Sequence, residues 1–177
     1  MPSDRTTRDR LAAGSAPATA KPDGGLAALY ARPGFKLRRA HQIALSVFLE
    51  ECSAHDVTTT QYGILVALRE HPGIDQIGLA QLLGLDRSTT GMVVGLLEGR
   101  ALLKRTQPPQ DRRRRVLTLT RSGARLLVAL EPAAERARHR LFAPFSAREA
   151  EIFGSLLDKL LDHHDAEVRV PLMRPER

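Results

Sequence analysis

The segment Leu79–Arg105 constrains the fold more than any other part of the chain. It reads LAQLLGLDRSTTGMVVGLLEGRALLKR, and its first leucines recur at the spacing of one helix face. Gly84 then predicts a tight turn, and Asp86 supplies a carboxylate N-cap for a second helix. Four apolar residues of that second helix are suited to burial against a core: Val93, Val94, Leu96 and Leu97. The segment therefore predicts two helices joined by a turn.

The second helix opens with polar side chains that suit contacts with nucleic acid. Its first turn consists of Arg87, Ser88, Thr89 and Thr90. Guanidinium and hydroxyl groups hydrogen-bond to phosphates or to base edges, and Arg87 is the candidate for a bidentate contact with guanine. Alternatively, the three hydroxyl residues only satisfy the free backbone donors of a helix N-terminus. The basic segment that follows favours contact with DNA.

That basic segment has the pattern of a two-stranded hairpin. Residues 102–106 and 116–119 have the composition of short strands, and Pro108 and Pro109 predict an extended loop between them. Four arginines, Arg112 to Arg115, occupy this loop, and the chain carries 27 Lys and Arg against 20 Asp and Glu. Positive charge concentrated beside two helices favours a polyanionic partner over a solvated loop. A basic protein that binds nucleic acid without sequence preference is the main alternative.

On these residues the chain resembles the MarR (multiple antibiotic resistance regulator) family of transcription factors, which are winged helix-turn-helix dimers. The resemblance runs without gaps through the helix-turn-helix. It is strongest at the wing, where the matching residues are Asp111, Arg112, Arg113, Leu119, Thr120 and Gly123. The chain departs from the family at Met92 and Leu96, where Arg or Lys is common, and at Ala101, where Gly is usual.

The resemblance gives each wing residue an expected role in binding double-stranded DNA. Arg113 matches the arginine that enters the minor groove, and Asp111 matches the acid that orients it through a salt bridge. An arginine inserted there reads groove shape and A·T content. Arg112, Arg114 and Arg115 are expected to contact phosphates or solvent. The sequence thus predicts a repressor that binds a palindromic operator.

The whole pattern predicts a mainly α-helical protein with a small antiparallel β wing, a winged helix-turn-helix plus a helical dimerisation region. We expect a disordered arm over residues 1–30, the folded domain over 31–166 and a tail over 167–177. Within the domain, dimerisation helices over about 34–55 and 121–166 flank a DNA-binding lobe over about 58–120. The outer helices carry more apolar surface than the lobe needs, so the resemblance implies a homodimer, the alternative being a chain folded back on itself.

Side-chain caps and a proline mark the expected helix boundaries. Thr58 with Gln61, and Ser146 with Glu149, have the spacing of capping boxes. Asp75 is expected to cap a further helix. Pro132 is expected to kink or interrupt the long helix after the wing, since proline lacks the backbone N–H donor.

A small-molecule effector is implied by the resemblance. The family binds anionic, often aromatic, molecules in a crevice between the dimerisation helices and the DNA-binding lobe. Arg38, Arg39 and His41 in LRRAHQ then pair with a carboxylate or phosphate, and Phe48 or Tyr62 stacks on a ring. Exposed charges and a core-edge histidine are the alternative. Together with HDVTTTQYG and LDRSTTG, the pattern resembles a subgroup that controls aromatic-acid catabolism, whose effectors include phenolic acids and their CoA thioesters.

Other functions find less support in the sequence. Cys52 is the only cysteine, which excludes an intrachain disulfide, and we interpret it as a small apolar residue, a redox switch being the alternative. His163, His164 and Asp165 are adjacent but have no second cluster, so no metal and no cofactor is assigned. No nucleophile, phosphate loop or carboxylate pair indicates an enzyme. With no long apolar run, the protein is expected to be cytoplasmic and away from membranes.

Overall fold

The computed structural model describes residues 25–107, 115–168 and 170–173, and the chain divides into two compact units, residues 1–40 and 41–177. The described helices are α1 (Leu26–Ala31), α2 (Pro33–Glu51), α3 (Thr59–Glu70), α4 (Gln76–Leu83), α5 (Arg87–Gly99), α6 (Arg121–Phe142) and α7 (Ala147–His164). The described strands are β1 (Ile74–Asp75), β2 (Leu103–Thr106) and β3 (Val116–Leu119). The predicted fold class, mainly helical with a small antiparallel sheet, is confirmed.

Four of the helices begin at the caps that the sequence predicts, and the fourth cap, Asp86 on α5, is described with the site below. Thr58 and Gln61 form a reciprocal capping box on α3, in which the Thr58 hydroxyl accepts from the Gln61 amide at 3.2 Å. Ser146 and Glu149 do the same on α7. Asp75 caps α4 by accepting a first-turn amide at 2.8 Å. These local hydrogen bonds satisfy donors that a helix start leaves free.

The core of the second unit lies where α3, α5 and α6 meet the sheet. Its largest fully buried apolar side chains are Ile64, Leu65, Leu68, Leu79, Val94, Leu97, Leu103, Leu117, Leu127 and Leu130. Removing such side chains from water is the main term that stabilises the lobe. The same packing holds α5 with its opposite face in solvent.

The sheet has three antiparallel strands in the order β1–β3–β2. Strands β2 and β3 form the predicted hairpin, in which Leu103 pairs with Leu119 and Thr106 pairs with Val116. The sequence analysis missed β1, because two residues are too few to show an alternating pattern. Ile74 of β1 pairs with Leu117, so the start of α4 is tied to the base of the wing.

Thr120 and Gly123 join the wing to α6. The Thr120 hydroxyl accepts the Gly123 amide at 3.0 Å and donates to the Ala101 carbonyl at 2.7 Å. A Cβ atom on Gly123 would lie 2.0 Å from the carbonyl oxygen of Leu102, far inside van der Waals contact. Only glycine fits there, which explains physically why a Leu-Thr pair followed by Gly marks this wing.

Helix α6 contradicts the expected interruption at Pro132, whereas the expected kink there stays a prediction. It runs from Arg121 to Phe142 through Pro132 without interruption. Proline removes one backbone donor and crowds the preceding turn. The helical segments on both sides of Pro132 are each about three turns long, so the helix continues through it. Ala133 and Ala137, buried just after Pro132, anchor the second half.

The two ends of the described chain also carry structure that the sequence analysis did not predict. Leu26–Ala31 form α1, a sequence rich in the good helix formers Ala and Leu, so the expected disordered arm is wrong for residues 26–30. Residues 1–24 of that arm lie outside the described residues. At the other end, the Met173 amide donates to the Gln81 carbonyl of α4 at 3.0 Å. The Leu172 amide donates to the Asp165 carboxylate at 3.1 Å. The segment after α7 is therefore pinned to the helix-turn-helix.

Candidate nucleic-acid interface and ligand cavity

Asp86 organises the start of α5, the second helix of the helix-turn-helix. One carboxylate oxygen accepts the Thr89 amide at 2.8 Å and the Ser88 hydroxyl at 2.5 Å, and the other accepts the Thr89 hydroxyl at 2.7 Å. These bonds, the one from the Ser88 hydroxyl foremost, hold the pKa of Asp86 well below its usual range. The cap is therefore charged at neutral pH and fixes the first turn of α5.

The four residues predicted to contact DNA on α5 differ in accessibility. Arg87 and Ser88 are exposed, and Thr89 is half-buried. Thr90 is fully buried, and its hydroxyl donates to the Asp86 carbonyl at 2.8 Å. Burial leaves Thr90 no surface to offer a partner, so it packs in the core here. The local pattern of hydroxyl residues does not separate a capping role from a surface role.

The outward face of α5 contains two large apolar side chains that the sequence analysis did not assign to the site. Met92 is 62% exposed and Leu96 is 53% exposed. They are one turn apart, in line with Ser88, and opposite the buried Val93 and Val94. The expectation that Leu96 is buried in the core is therefore wrong, because α5 packs with the face that carries Met92 and Leu96 turned to solvent. The four-residue spacing of Leu96 from Met92 was the signal available in the sequence.

The basic residues near the wing divide into a group with structural hydrogen bonds and a group that is exposed. Arg100 donates to the carbonyls of Asp56 at 2.6 Å and His55 at 3.1 Å, and Arg105 pairs with Glu98. The first guanidinium holds the segment after α2 in place, and the second joins β2 to α5. By contrast, Lys104, Arg115 and Arg121 are exposed. The other predicted wing residues, Asp111, Arg112, Arg113 and Arg114, lie outside the described residues.

A cavity of about 750 Å³ opens within the second unit, between the later part of α2, α3 and α6. Its walls are mainly aliphatic and aromatic, and the lining residues are His41, Ala44, Leu45, Phe48, Thr59, Tyr62, Glu131, Ala134, Glu135, Ala137, Arg138, Leu141 and Phe142. The rings of Phe48 and Tyr62 lie 5.5 Å apart between centroids. A cavity of this size and lining suits a small aromatic ligand.

The charged groups on the cavity wall are held by ion pairs. Glu131 pairs with Arg69 of α3 at 2.6 Å. Glu135 accepts from the Arg138 Nε atom at 2.9 Å and from its Nη2 atom at 2.5 Å. Burial, and secondarily the charge of Glu131, raises the pKa of Tyr62, so its hydroxyl stays neutral. Sequence reasoning missed Arg138, although its spacing from Ala134 places both on one helix face.

Three of the five predicted effector residues, His41, Phe48 and Tyr62, line this cavity. Arg38 and Arg39 belong to the first unit. There the Arg38 guanidinium lies over the Phe35 ring, 4.9 Å from its centroid, in a cation–π contact. The role of the two arginines in ligand binding stays a prediction.

Cys52 lies in the core, and His164, near the end of α7, contacts a carboxylate. Cys52 is fully buried, and burial raises the pKa of its thiol, whereas a redox-active cysteine needs an accessible thiolate. His164 lies 2.8 Å from a carboxylate oxygen of Glu167. Over the described ranges, no group of three or more His, Cys, Asp or Glu side chains has the arrangement of a metal site. Over the same ranges, none of the helices combines the length and apolar character that crossing a membrane requires.

Comparison with known proteins shows which family has this sequence and fold. The sequence model described as MarR family matches residues 55–114. The HTH-type transcriptional repressor NicR of Pseudomonas putida is 32% identical over 129 residues, which are 73% of this chain and 82% of NicR. The chain belongs to the MarR family. It is a transcriptional regulator, and the prediction that it is not an enzyme is confirmed, since its relatives are transcriptional regulators.

Solved MarR-type regulators show the same fold. The PcaV transcriptional regulator of Streptomyces coelicolor, in complex with its natural ligand, is 34% identical with a TM-score of 0.68, covering 76% of this chain and 94% of PcaV. The repressor CouR bound to a 23-mer DNA duplex is 28% identical with a TM-score of 0.71, covering 78% of this chain and 99% of CouR. CouR of Rhodococcus jostii bound to p-coumaroyl-CoA is also 28% identical, with a TM-score of 0.65, covering 75% and 92%.

Proposed function

We propose that this MarR-family regulator is a homodimeric repressor, released from a palindromic DNA operator by an aromatic acid or its CoA thioester. The observation that carries the proposal is the aromatic-lined cavity in the same compact unit as the exposed start of α5. Helix α3 contributes Thr59 and Tyr62 to the cavity and packs against α4 and α5. A ligand that moves α3 therefore acts directly on the helix-turn-helix.

The cavity chemistry favours an aromatic anion. A ring packs on Phe48, Tyr62 and the aliphatic wall, and a carboxylate accepts from Arg138. That guanidinium has five N–H donors, of which Glu135 occupies two, so donors remain for a ligand. His41 offers a further donor at the cavity edge. Arg38 and Arg39 are proposed as additional contacts for a carboxylate or phosphate.

Relatives support both halves of this proposal. CouR has been seen with a DNA duplex and with p-coumaroyl-CoA, and PcaV with its natural ligand. A CoA thioester of an aromatic acid is therefore the first ligand type to try, and free aromatic acids are the second. We infer that α5 is the recognition helix, which enters the major groove. The bound ligand then favours a form of the dimer in which the two recognition helices are wrongly spaced for DNA, so release is a shift of the population toward that form.

The dimer is proposed from exposed apolar surface. Helix α7 carries Ile152, Leu156, Leu160 and Leu161, which are all exposed in the single chain. Apolar side chains in such a row are covered in most proteins, and a two-fold partner covers them with the same surface. Sedimentation equilibrium should give twice the mass of the 19.5 kDa chain. A monomer at micromolar concentration would contradict the dimer.

The effector half is tested by calorimetry with a panel of aromatic acids and CoA thioesters. Arg138→Ala should weaken the best ligand about tenfold or more, because a charge-assisted hydrogen bond contributes about 1.5–3 kcal/mol and 1.4 kcal/mol is tenfold. Arg125→Ala is the control, since Arg125 is exposed on α6 and bonds to Ser122 outside the cavity. Equal affinities for wild type and Arg138→Ala would remove Arg138 from the site.

The DNA half is tested by selection from a random pool of duplexes. The proposal expects a two-fold symmetric consensus with recognition helices about one DNA turn apart. Specific affinity should exceed affinity for scrambled duplex by about 10³ or more at physiological salt. Binding that depends on salt but recovers no consensus would instead favour the sequence-independent alternative.

A further inference from the structure

The outward face of the recognition helix, α5, has an apolar middle, whereas a surface that contacts DNA is usually polar and positively charged. From the exposed Arg87 and Ser88, the exposed positions continue through Met92, Gly95 and Leu96. The side chains of Met92 and Leu96 are exposed to water, with which they form no strong hydrogen bonds, and they are not packed into the core. A soluble domain exposes single apolar residues routinely, but two on successive turns of the recognition surface call for a partner.

We infer that Met92, extended by Leu96, is a specificity-determining residue that contacts the C5-methyl group of thymine in the major groove. The inference rests on the proposed DNA-binding function and names what this part of α5 reads. Of the four bases, thymine alone presents a methyl group on the major-groove edge. Apolar contact with that methyl group is the way a side chain without hydrogen-bonding groups distinguishes bases.

The geometry of α5 fits this contact. The four steps from Met92 to Leu96 span about 6 Å along the helix axis, and successive base pairs are about 3.4 Å apart. The two side chains are therefore spaced to contact methyl groups about two base pairs apart. Recognition helices present their N-terminal residues to the bases, so Met92 in the second turn lies nearer the groove floor than Leu96 in the third.

Neighbouring glycines leave room for close approach. A Cβ atom added at Gly95 or Gly99 would meet nothing within 4 Å, so these positions form a low surface beside Met92 and Leu96. Methionine is unbranched and flexible, so its side chain can spread over that surface and fit a methyl group. Arg87 is exposed at the start of the same helix, and the wing and its junction with α6 expose further positive charge, at Lys104, Arg115 and Arg121. Such charges complement the phosphates of DNA.

The test removes each partner of the contact in turn, the thymine methyl group and the Met92 side chain. The full chain first selects its operator, and each thymidine is then replaced by deoxyuridine, which lacks only the C5-methyl group. At one or more symmetric positions, the replacement should lower wild-type affinity about fourfold per half-site, since burying one carbon group contributes about 0.8 kcal/mol. Met92→Ala should bind thymidine and deoxyuridine duplexes equally at those positions.

Matched variants separate the apolar contact from damage to the helix. Met92→Leu keeps an apolar side chain and should keep the preference for thymidine. Met92→Gln keeps the length but adds an amide, and should lose the preference. Circular dichroism and sedimentation should show each variant folded and of wild-type mass.

Each other outcome has a definite meaning. A symmetric consensus with no sensitivity to deoxyuridine, or with the same sensitivity in Met92→Ala, overturns the inference and leaves the proposed function standing. Failure of the wild type to select any consensus overturns the proposed function itself. Loss of the dimer in Met92→Ala, with discrimination of the methyl group intact, would make this face a protein contact and also overturn the inference.

Discussion

Replacing Gly123 by alanine should destabilise the wing junction sharply. The added Cβ atom would lie 2.0 Å from the Leu102 carbonyl oxygen, whereas real contacts do not fall below 3.0 Å, so the backbone has to move by about 1 Å. That carbonyl also accepts the Thr120 amide at 3.1 Å and its hydroxyl at 3.2 Å, so it is not free to shift. Overpacking costs about 1–3 kcal/mol, and a weakened hydrogen bond adds about 0.5–1.5 kcal/mol.

Gly154→Ala is the matched control for this experiment. Gly154 lies within α7, and a Cβ atom there would meet nothing within 4 Å. The change should leave the protein as stable as the wild type or stabilise it by about 0.5–1 kcal/mol through helix propensity. Urea denaturation followed by circular dichroism should place Gly123→Ala about 2–4 kcal/mol below Gly154→Ala. Equal midpoints for the two variants would refute the close approach of α6 to the wing.

Three further changes test other parts of the structure. Ala101 has a left-handed φ of 54°, so Ala101→Gly should raise the melting temperature by about 1–4 °C in a thermal scan, and a lower value would contradict that backbone conformation. Because hydrogen bonds depress the folded pKa of Asp86, its cap stabilises the protein above the ordinary carboxyl pKa of about 3.9 and is lost as pH falls below it. The difference in urea midpoint between wild type and Asp86→Ala should therefore shrink on acidification, and a difference that stays constant to pH 2 would count against the capping role. Arg113→Ala should weaken operator binding by about 1–3 kcal/mol, mainly through A·T-rich flanks, and an unchanged gel-shift titration would exclude it from the minor groove.

Local signals in the sequence predicted the helix starts because a cap is decided within four residues. Asp86 illustrates both the strength and the limit of such a signal. Its carboxylate caps α5 as expected, but the same short segment does not reveal that Thr90 turns inward to bond to the Asp86 carbonyl. Inward or outward placement depends on how α5 rotates against α3 and α6, and that rotation is set by packing of distant residues.

The cavity and the small third strand were harder to predict for the same reason. Arg138 belongs to the cavity only because α6 lies beside α2 and α3, and this arrangement of three helices is not encoded in the residues next to Arg138 along the chain. Ile74 and Asp75 form a strand only because β3 lies next to them. The family resemblance predicted that a ligand crevice exists, whereas the residues that line the cavity are known only from the arrangement of α2, α3 and α6.

Ligand-driven release from DNA is the most direct test of the account. Fluorescence anisotropy would follow the selected operator duplex as aromatic acids and CoA thioesters are added to wild type, Ala134→Trp and Ala129→Trp. Ala134 lines the cavity, so its indole should fill the space and block release, whereas Ala129 is exposed on α6 outside the cavity and serves as the control. We predict release from wild type and Ala129→Trp, with retention of DNA by Ala134→Trp. Equal release from all three proteins would show that the ligand acts elsewhere, and no release by any compound would contradict an aromatic effector.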